Sequence, residues 1–283
     1  MDRREFLTSV GIAVGAAQLG CVPRKTATGS RRLGSVGIQL YSLRDDAKKD
    51  LERTLADIAG AGYKYIELLG SFNNFDMPSP KLRGVLDRNG LRATSTHVGG
   101  DALDNLSHHI EQAHILGQQY IVVASLPIQG ERKLDDYRRW SDRLNEAGQR
   151  SLRDGIHIGF HNHATDHAPI DGTRPYDVLV ERTEPSYVRL QLDTGNAAMG
   201  GLDPLELLHA HKDRYWLFHI KDVPKLGATN DAELGKGIID FRRLLASIDR
   251  IDEKQLFVEQ ETYPGTPLES VRRDYSYIST LQF

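Results

Sequence analysis

The chain has 283 residues, of which 39% are hydrophobic and 27% charged, with a formal net charge of −3 and a single cysteine. This composition is typical of a soluble globular protein with room for one α/β barrel or two smaller domains. The acidic balance argues against a nucleic-acid-binding protein. One cysteine excludes an internal disulfide and a CxxC metal site.

The first residues have the pattern of an export signal. Arg3-Arg4 and Phe6-Leu7 precede a Gly/Ala-rich, weakly apolar stretch. That stretch is too short and too weakly apolar for a transmembrane helix. Residues 1–21 are therefore predicted to be a twin-arginine signal peptide, which implies a protein exported to the periplasm.

The signal ends in a second recognisable pattern. Gly20-Cys21 has the form of a lipoprotein cleavage site, although Gln18 stands where an apolar residue is usual. A lipid anchor at Cys21, facing the periplasm, and a free periplasmic protein both stay open. Residues 22–34 are polar and rich in basic, Gly and Ser residues, and are predicted to be a flexible tether. The folded domain is then predicted over 35–283.

This folded part alternates candidate strands with candidate helices. The candidate strands are 35–41, 64–69, 91–97, 119–125, 156–162, 187–193, 215–221 and 255–261. The candidate helices lie near 45–60, 80–89, 102–116, 132–153, 175–183, 203–212, 239–248 and 267–280. Eight strands alternating with eight helices predict an α/β fold of the (β/α)8 TIM-barrel type. A doubly wound sheet is the alternative, but it more often has a Gly-rich loop after its first strand, and "QLYSLRDD" is not one.

The first of these helices shows the helical period most clearly. Leu51, Leu55 and Ile58 fall on one face of the stretch 45–60. Asp45 is the predicted N-cap, and the glycines at 60 and 62 are the predicted end.

Each strand has one apolar face and one face that becomes polar toward its C-terminal end. In 187–193, Val188, Leu190 and Leu192 alternate with polar residues that end in Asp193. A barrel points this second face at its own axis, and barrel active sites lie at the C-terminal mouth. The polar residues predicted to meet there are Gln39, Tyr41, Glu67, His97, His161, His163, Asp193, His219, Lys221, Glu259 and Glu261.

So many carboxylates and imidazoles at one level would repel one another or lose their hydration without a cation. A divalent metal ion relieves this, because it favours ionised carboxylates and neutral imidazoles. Mixed oxygen and nitrogen ligands suit Mn²⁺, Co²⁺, Zn²⁺ or Fe²⁺, with Mg²⁺ also open, rather than Ca²⁺. The sequence does not choose among these ions.

Seven segments together carry a resemblance to a known family. They are "GIQLYSLRDD", "YIELLG", "GFHNHATDH", "QLDTGNAAMGGLDP", "FHIKD", "ELGKGIIDF" and "LFVEQE". Over roughly 35–283 the chain resembles the xylose isomerase-like TIM-barrel family of sugar phosphate isomerases and epimerases, which shares its fold with endonuclease IV. The resemblance implies one divalent metal ion, held by Glu, Asp, His and Glu at the ends of strands 5 to 8.

Three of these ligands have direct counterparts in this chain. Asp193 of "LDTGN" takes the Asp position, and His219 of "FHIKD" takes the His position. Glu259 of "VEQE" takes the strand 8 Glu position, with Glu261 as the alternative.

The fourth position departs from the family. Many members have Glu-Asn-His at the end of strand 5, whereas this chain has His161-Asn162-His163. We expect His161 to bind the metal and His163 to face the substrate. Asp166 is an alternative oxygen ligand.

The departure bears on mechanism, because family epimerases use two carboxylates, one on each face of the substrate. Here Glu259 is left as the natural base, with His163 or His97 as the acid and Lys221 as a stabiliser of the developing oxyanion. The expected reaction on a free or keto-sugar is isomerisation, epimerisation or a related lyase or dehydratase step through a metal-stabilised enediolate. Gln39, Tyr41, Glu67 and Glu261 are the predicted substrate contacts.

Two other classes of function stay open. One is a non-catalytic, carbohydrate-binding exported lipoprotein on the same fold. The other, less favoured, is an endonuclease IV-like nuclease, against which the acidic balance and the export signal count. The retained Asp193, His219 and Glu259 favour an enzyme. The sequence does not define the oligomeric state.

Overall fold

The structure is a computed structural model that describes residues 30–283. The predicted signal peptide, the candidate lipid-anchor site and most of the predicted tether lie outside the described residues. Arg31 already belongs to the folded unit, because it exchanges backbone hydrogen bonds of 2.7 and 2.9 Å with Phe283. In the described part of the chain, no helix is both long enough and apolar enough to cross a membrane.

Eight parallel strands close into a barrel in sequence order, with the last strand paired to the first. The strands are β1 (Gly37–Gln39), β2 (Tyr65–Leu69), β3 (Arg92–Gly99), β4 (Tyr120–Ser125), β5 (His157–His161), β6 (Val188–Asp193), β7 (Tyr215–Ile220) and β8 (Gln255–Val258). Each lies within one or two residues of a predicted strand or inside it. The predicted TIM barrel is confirmed.

The helices surround the barrel. They are α1 (Arg44–Lys49), α2 (Leu51–Ala61), α3 (Ser79–Arg88), α4 (Leu106–Leu116), α5 (Leu134–Ser151), α6 (Ala164–His167), α7 (Pro175–Arg182), α8 (Thr194–Met199), α9 (Pro204–Ala210), α10 (Phe241–Ala246) and α11 (Pro267–Thr280). Short α6 and α8, which directly follow β5 and β6, have no counterpart among the predicted helices. Both lie at the C-terminal mouth.

The single helix predicted over 45–60 is two helices in the structure. Asp50 adopts an extended conformation (φ −155°, ψ 94°), and its side chain accepts a hydrogen bond of 2.9 Å from the backbone N–H of Arg53. Asp50 is therefore the N-cap of α2, and the prediction for Asp45 was wrong. Gly62 ends α2 as predicted, in the left-handed conformation (φ 112°) that glycine adopts without strain.

The barrel axis is closed from below by an apolar cluster. Tyr120, Val122, Leu217 and Phe257 form this cluster, separate from the core between strands and helices. Gly37 is required beside it, because a Cβ there would lie 2.6 Å from the Phe257 ring. The cluster forms a dry floor beneath the polar ends of the strands.

The long loop between β7 and α10 is organised by one buried carboxylate. Asp222 accepts backbone hydrogen bonds of 2.9 to 3.1 Å from Val223, Gly235, Gly237 and Ile239. This accounts for the aspartate of the "HIKD" segment, which shapes one wall of the mouth.

A second aspartate anchors the same loop to α11. Asp274 is buried, and its Oδ1 accepts a 2.8 Å hydrogen bond from the backbone N–H of Leu234. Its Oδ2 is buried without a hydrogen-bond partner. Burial raises the pKa of Asp274 to about 7, against the effect of the Leu234 N–H. A protonated carboxyl group at this position explains the unpaired oxygen.

Asp274→Asn tests this anchor. The native carboxyl keeps its proton to about pH 7, whereas the unfolded chain releases it near pH 4. The native state therefore binds more protons in this window, and the wild type should lose stability as the pH rises through it. Asparagine keeps the acceptor and cannot ionise. From pH 5 to pH 8 the variant should gain roughly 1–4 kcal/mol over the wild type in urea unfolding. A stability difference that is the same at both pH values would contradict the assignment.

Candidate active site

Most of the predicted site residues meet at the C-terminal mouth of the barrel, and most are buried there. Those with at most 7% exposure are Gln39, Glu67, His97, His161, Asp193, His219, Lys221 and Glu259. Tyr41 and Glu261 are half-buried, and His163 is exposed at the mouth. The alternation of the strands therefore placed every predicted residue at the correct end of the barrel.

Glu67 on β2 occupies the centre of this cluster, directly above the floor. Its carboxylate accepts hydrogen bonds from Gln39 Nε2 at 2.8 Å, from His219 Nε2 at 2.6 Å and from His97 Nε2 at 3.0 Å. Burial alone would raise the pKa of Glu67, but His97 and His219 hold it below its ordinary value, so the group is ionised. Glu67 and Gln39 have no exposed surface, which favours a supporting role over the predicted direct contact with substrate.

Gln191 on β6 connects Glu67 to two histidines. Its Nε2 donates to both Glu67 oxygens at 3.0 Å, and its Oε1 lies 2.7 Å from His97 Nε2 and 3.0 Å from His161 Nδ1. Because a carboxylate only accepts hydrogen bonds, the amide has one orientation, and both histidines must donate to Oε1. His161 therefore carries its proton on Nδ1, and its Nε2 is an acceptor.

His161 stays neutral in this environment. Burial, together with the neighbouring His219 and His163, lowers the pKa of His161 well below its ordinary value. Its Nε2 lies 3.9 Å from Asp193 Oδ2 and 3.4 Å from the side-chain nitrogen of Asn196. A neutral imidazole with a free lone pair is the form that binds a metal ion.

Asp193 is the N-cap of α8 and has one occupied oxygen and one free oxygen. Its Oδ1 accepts a 2.7 Å hydrogen bond from the backbone N–H of Asn196. Its Oδ2 is buried with no hydrogen-bond partner, 3.8 Å from His219 Nδ1 and 3.7 Å from Lys221 Nζ. The helix cap thus fixes the carboxylate and points its second oxygen at the other candidate ligands.

Glu259, rather than Glu261, faces these groups. Glu259 Oε2 lies 3.0 Å from His219 Nδ1, and Lys221 and His219 hold the pKa of Glu259 well below its usual range although burial opposes them. The side chain of Glu261 forms an ion pair with Lys221 and is 37% exposed. Geometry therefore favours Glu259 as the strand 8 ligand.

The donor set fits a divalent metal ion. Asp193, His219 and Glu259 each offer one ligand atom, and these atoms lie within 4.8 Å of one another. Glu67 holds His219 by Nε2, which leaves Nδ1 to face the two carboxylates; this is the usual support of a metal-binding histidine. His161 Nε2, 3.9 Å from Asp193 Oδ2, is the candidate fourth donor. The alternative ligand Asp166 has its oxygens occupied by Tyr137 OH at 2.9 Å and His163 N at 2.8 Å.

Lys221 supplies the buried positive charge. Its Nζ lies 3.3 Å from Glu259 and 3.7 Å from Asp193, and these carboxylates with Glu261 raise the pKa of Lys221 although burial opposes them. Its aliphatic chain passes over Gly195, where a Cβ would lie only 2.5 Å from Lys221 Cγ. Glycine is therefore required at position 195.

The remaining positions around these strand ends join neighbouring strands. Thr194 Oγ1 donates to the backbone oxygen of Lys221 at 2.7 Å and accepts from its N–H at 3.0 Å. Asn162 points away from the axis, where its Oδ1 accepts from the backbone N–H of Asp193 at 2.9 Å.

The sequence-based selection missed Gln191, Thr194, Gly195 and Asn196. Only Gln191 had a local signal, because it lies on the axis face of its strand.

The two histidines of "HNH" lie beside each other with different surroundings. Their ring centroids are 4.8 Å apart, with His161 buried against the candidate ligands and His163 at the surface of the mouth. His97 is bonded to Gln191 and Glu67 and stacks on His219 with centroids 5.0 Å apart. His163 is thus better placed than His97 to contact a substrate.

The chain also resembles proteins of known family. The family model described as "Xylose isomerase-like TIM barrel" matches residues 55–281. A protein named inosose dehydratase from Geobacillus kaustophilus is 29% identical over 268 residues, covering 80% of this chain and 83% of that protein.

Two solved structures share the fold. A sugar phosphate isomerase/epimerase from Parabacteroides distasonis has a TM-score of 0.75 and 23% identity, covering 86% of this chain and 96% of that one. The IolI protein with a bound zinc atom has a TM-score of 0.66 and 17% identity, covering 86% and 95% of the two chains. Because the family match spans most of the chain, the chain belongs to the xylose isomerase-like TIM-barrel family.

Proposed function

We propose that this protein is a divalent-metal-dependent enzyme that moves a proton beside the carbonyl group of a keto-sugar. The prediction of an enzyme acting on sugars is confirmed by relatives named inosose dehydratase. The observation that supports metal binding is the buried Oδ2 of Asp193, which makes no hydrogen bond and lies beside His219 Nδ1 and Glu259. The zinc atom of the IolI relative supports the same assignment, and the identity of the ion here stays open.

A divalent ion held by Asp193, His219, Glu259 and His161 would polarise a substrate carbonyl. Glu259 is the base in this proposal. Lys221 and His219 keep its carboxylate ionised, and both contact Oε2, which leaves Oε1 to receive a proton from the adjacent carbon. Lys221, held between Glu259 and Glu261, can stabilise negative charge that develops on the substrate.

His163 is the acid in this proposal. It is exposed at the mouth beside His161, so a substrate that reaches the ligands also meets its ring. The base is therefore a carboxylate and the acid an imidazole, and the two lie at different positions in the mouth. Such a pair suits transfer of a proton between two substrate atoms, or its delivery to a leaving hydroxyl group, which are isomerisation and dehydration. The site is less suited to inverting the configuration of one carbon with two equivalent carboxylates.

We also propose a periplasmic location, with or without a lipid anchor at Cys21. The support is the sequence of residues 1–21 alone. A free or glycosidic sugar is a more suitable substrate than a phosphorylated metabolite in that compartment.

Asp193→Asn tests the metal site. Asparagine keeps the Oδ1 acceptor that caps α8 but replaces the free oxygen by an NH₂ group, which does not bind a cation. We expect metal content and turnover to be lost together, with affinity at least about 10- to 100-fold lower. The matched control is Asp203→Asn, because Asp203 caps α9 through Leu205 N in the same way. Full metal occupancy of Asp193→Asn by elemental analysis would refute the assignment.

Substitution of the two histidines separates their roles. His161→Ala should weaken metal binding by about 10- to 100-fold or more. His163→Ala should keep the metal and lower turnover by roughly 10²–10⁴-fold, the usual contribution of a positioned acid. Metal content, melting temperature and turnover on a keto-sugar are measured on both variants. If both changes only lower the melting temperature, the two histidines are structural and the proposed roles fail.

The export signal can be tested with conservative changes. Arg3→Lys combined with Arg4→Lys should retain the protein in the cytoplasm, because the twin-arginine route recognises that pair and transports folded proteins. Arg31→Lys combined with Arg32→Lys is the matched control, since it makes the same change in a pair at the start of the barrel. Cell fractionation and immunoblotting measure the distribution. Unchanged periplasmic amounts of the first variant would rule out the twin-arginine route.

A further inference from the structure

A cavity of about 320 Å³ opens beside the candidate active site, between the segments that follow β4 and β5. His163 and Asn196 line its inner end. The backbone N–H of Asn196 donates to Asp193 Oδ1, and its side-chain nitrogen lies 3.4 Å from His161 Nε2. The cavity therefore begins one residue away from the candidate metal ligands, and its volume lies within the range of small-molecule sites.

The far wall of the cavity is polar and rigidly built. Arg132 Nη1 donates to Thr165 Oγ1 at 2.6 Å and to Tyr137 OH at 3.1 Å, and lies 3.4 Å from Asp166 Oδ1. Tyr137 and Asp166 are themselves buried and bonded to each other at 2.9 Å. Every side-chain hydrogen bond found for Arg132 within residues 30–283 uses Nη1. Its Nε and Nη2 groups make no hydrogen bond within these residues.

The charges in this wall cancel. Asp166 offsets Arg132 at short range, so the wall itself has no net positive charge. A phosphate dianion would find no net positive charge here, whereas hydroxyl groups would find both donors and acceptors. Leu126, Phe160 and Ala164 supply an apolar surface for the face of a sugar ring.

We propose that this cavity binds a second, uncharged, hydroxylated unit of the substrate, so that the enzyme takes a glycoside rather than a sugar phosphate. One ring then lies at Asp193, His219 and Glu259, and the attached unit lies against Arg132 and Thr165. This inference rests on the proposed function for the position of the reacting ring. It adds the class of substrate and a specificity-determining residue, Arg132.

Binding measurements test this without turnover. Titration calorimetry of the intact protein compares methyl β-D-glucopyranoside, cellobiose, maltose and glucose 6-phosphate. At least one disaccharide should bind about tenfold more tightly than the methyl glucoside, and the phosphate should bind no more tightly than the methyl glucoside. Ala164→Phe, which fills the cavity, should remove the advantage of the disaccharide and leave binding of the methyl glucoside unchanged. The matched control Ala168→Phe places the same side chain on an exposed neighbour that does not line the cavity.

Three results would overturn the proposal. The first is that no disaccharide binds more tightly than the methyl glucoside. The second is that glucose 6-phosphate binds most tightly. The third is that Ala164→Phe weakens the binding of the disaccharide and of the methyl glucoside equally. The last result would make the cavity the site of the reacting ring. The metal content of Asp193→Asn and turnover of a keto-monosaccharide report on the proposed function separately, so the two failures can be distinguished.

Discussion

The architecture of this site follows from the cost of burying charge at the end of a closed barrel. Four carboxylates face one another there: Glu67, Asp193, Glu259 and Glu261. An ionised carboxylate away from water is stable only with a partner. His219 is paired with Glu67, and Lys221 lies closer to both glutamates at the end of β8 than to Asp193, whose second oxygen makes no hydrogen bond and is 3.7 Å from Lys221 Nζ. In the proposed function, a divalent cation would satisfy this oxygen, Glu259 and His219 Nδ1 together.

The surrounding fold makes these electrostatic interactions strong. The floor formed by Tyr120, Val122, Leu217 and Phe257 keeps water away from below, and interactions between charges grow as the local dielectric falls. The supporting polar groups are held by hydrogen bonds from several strands, so each ligand meets the mouth in one orientation. Gln191 shows this best, because one amide sets the position of Glu67 and the protonated nitrogen of His161. Preorganisation of this kind requires a rigid barrel rather than loops.

The sequence predicted the barrel and the inward-facing residues well, because the alternation along a strand is a local property with a period of two. It did not reveal partnerships across the barrel. Glu67 and Gln191 are 124 residues apart and meet only because the strands are parallel and in register. The choice between Glu259 and Glu261 likewise depended on where Lys221 lies. The break at Asp50 was missed because several neighbouring aspartates could cap a helix, and only packing decides among them.

The histidine at the end of β5 gives the site its asymmetry. A glutamate at position 161 would add a fifth carboxylate to a cluster with one lysine, and would place a second base opposite Glu259. His161 instead adds a neutral imidazole whose protonated nitrogen is set by Gln191, and His163 lies further out at the mouth, where the proposed mechanism uses it as the acid. The β5 side of the mouth carries the imidazoles of His161 and His163, whereas the β7–β8 side carries His219, Lys221 and two glutamates. The cavity of Arg132 opens on the imidazole side. In the proposed mechanism, a group leaving toward that side would meet His163, whereas a proton leaving the substrate on the other side would meet Glu259, so removal of a proton and its delivery would be separated.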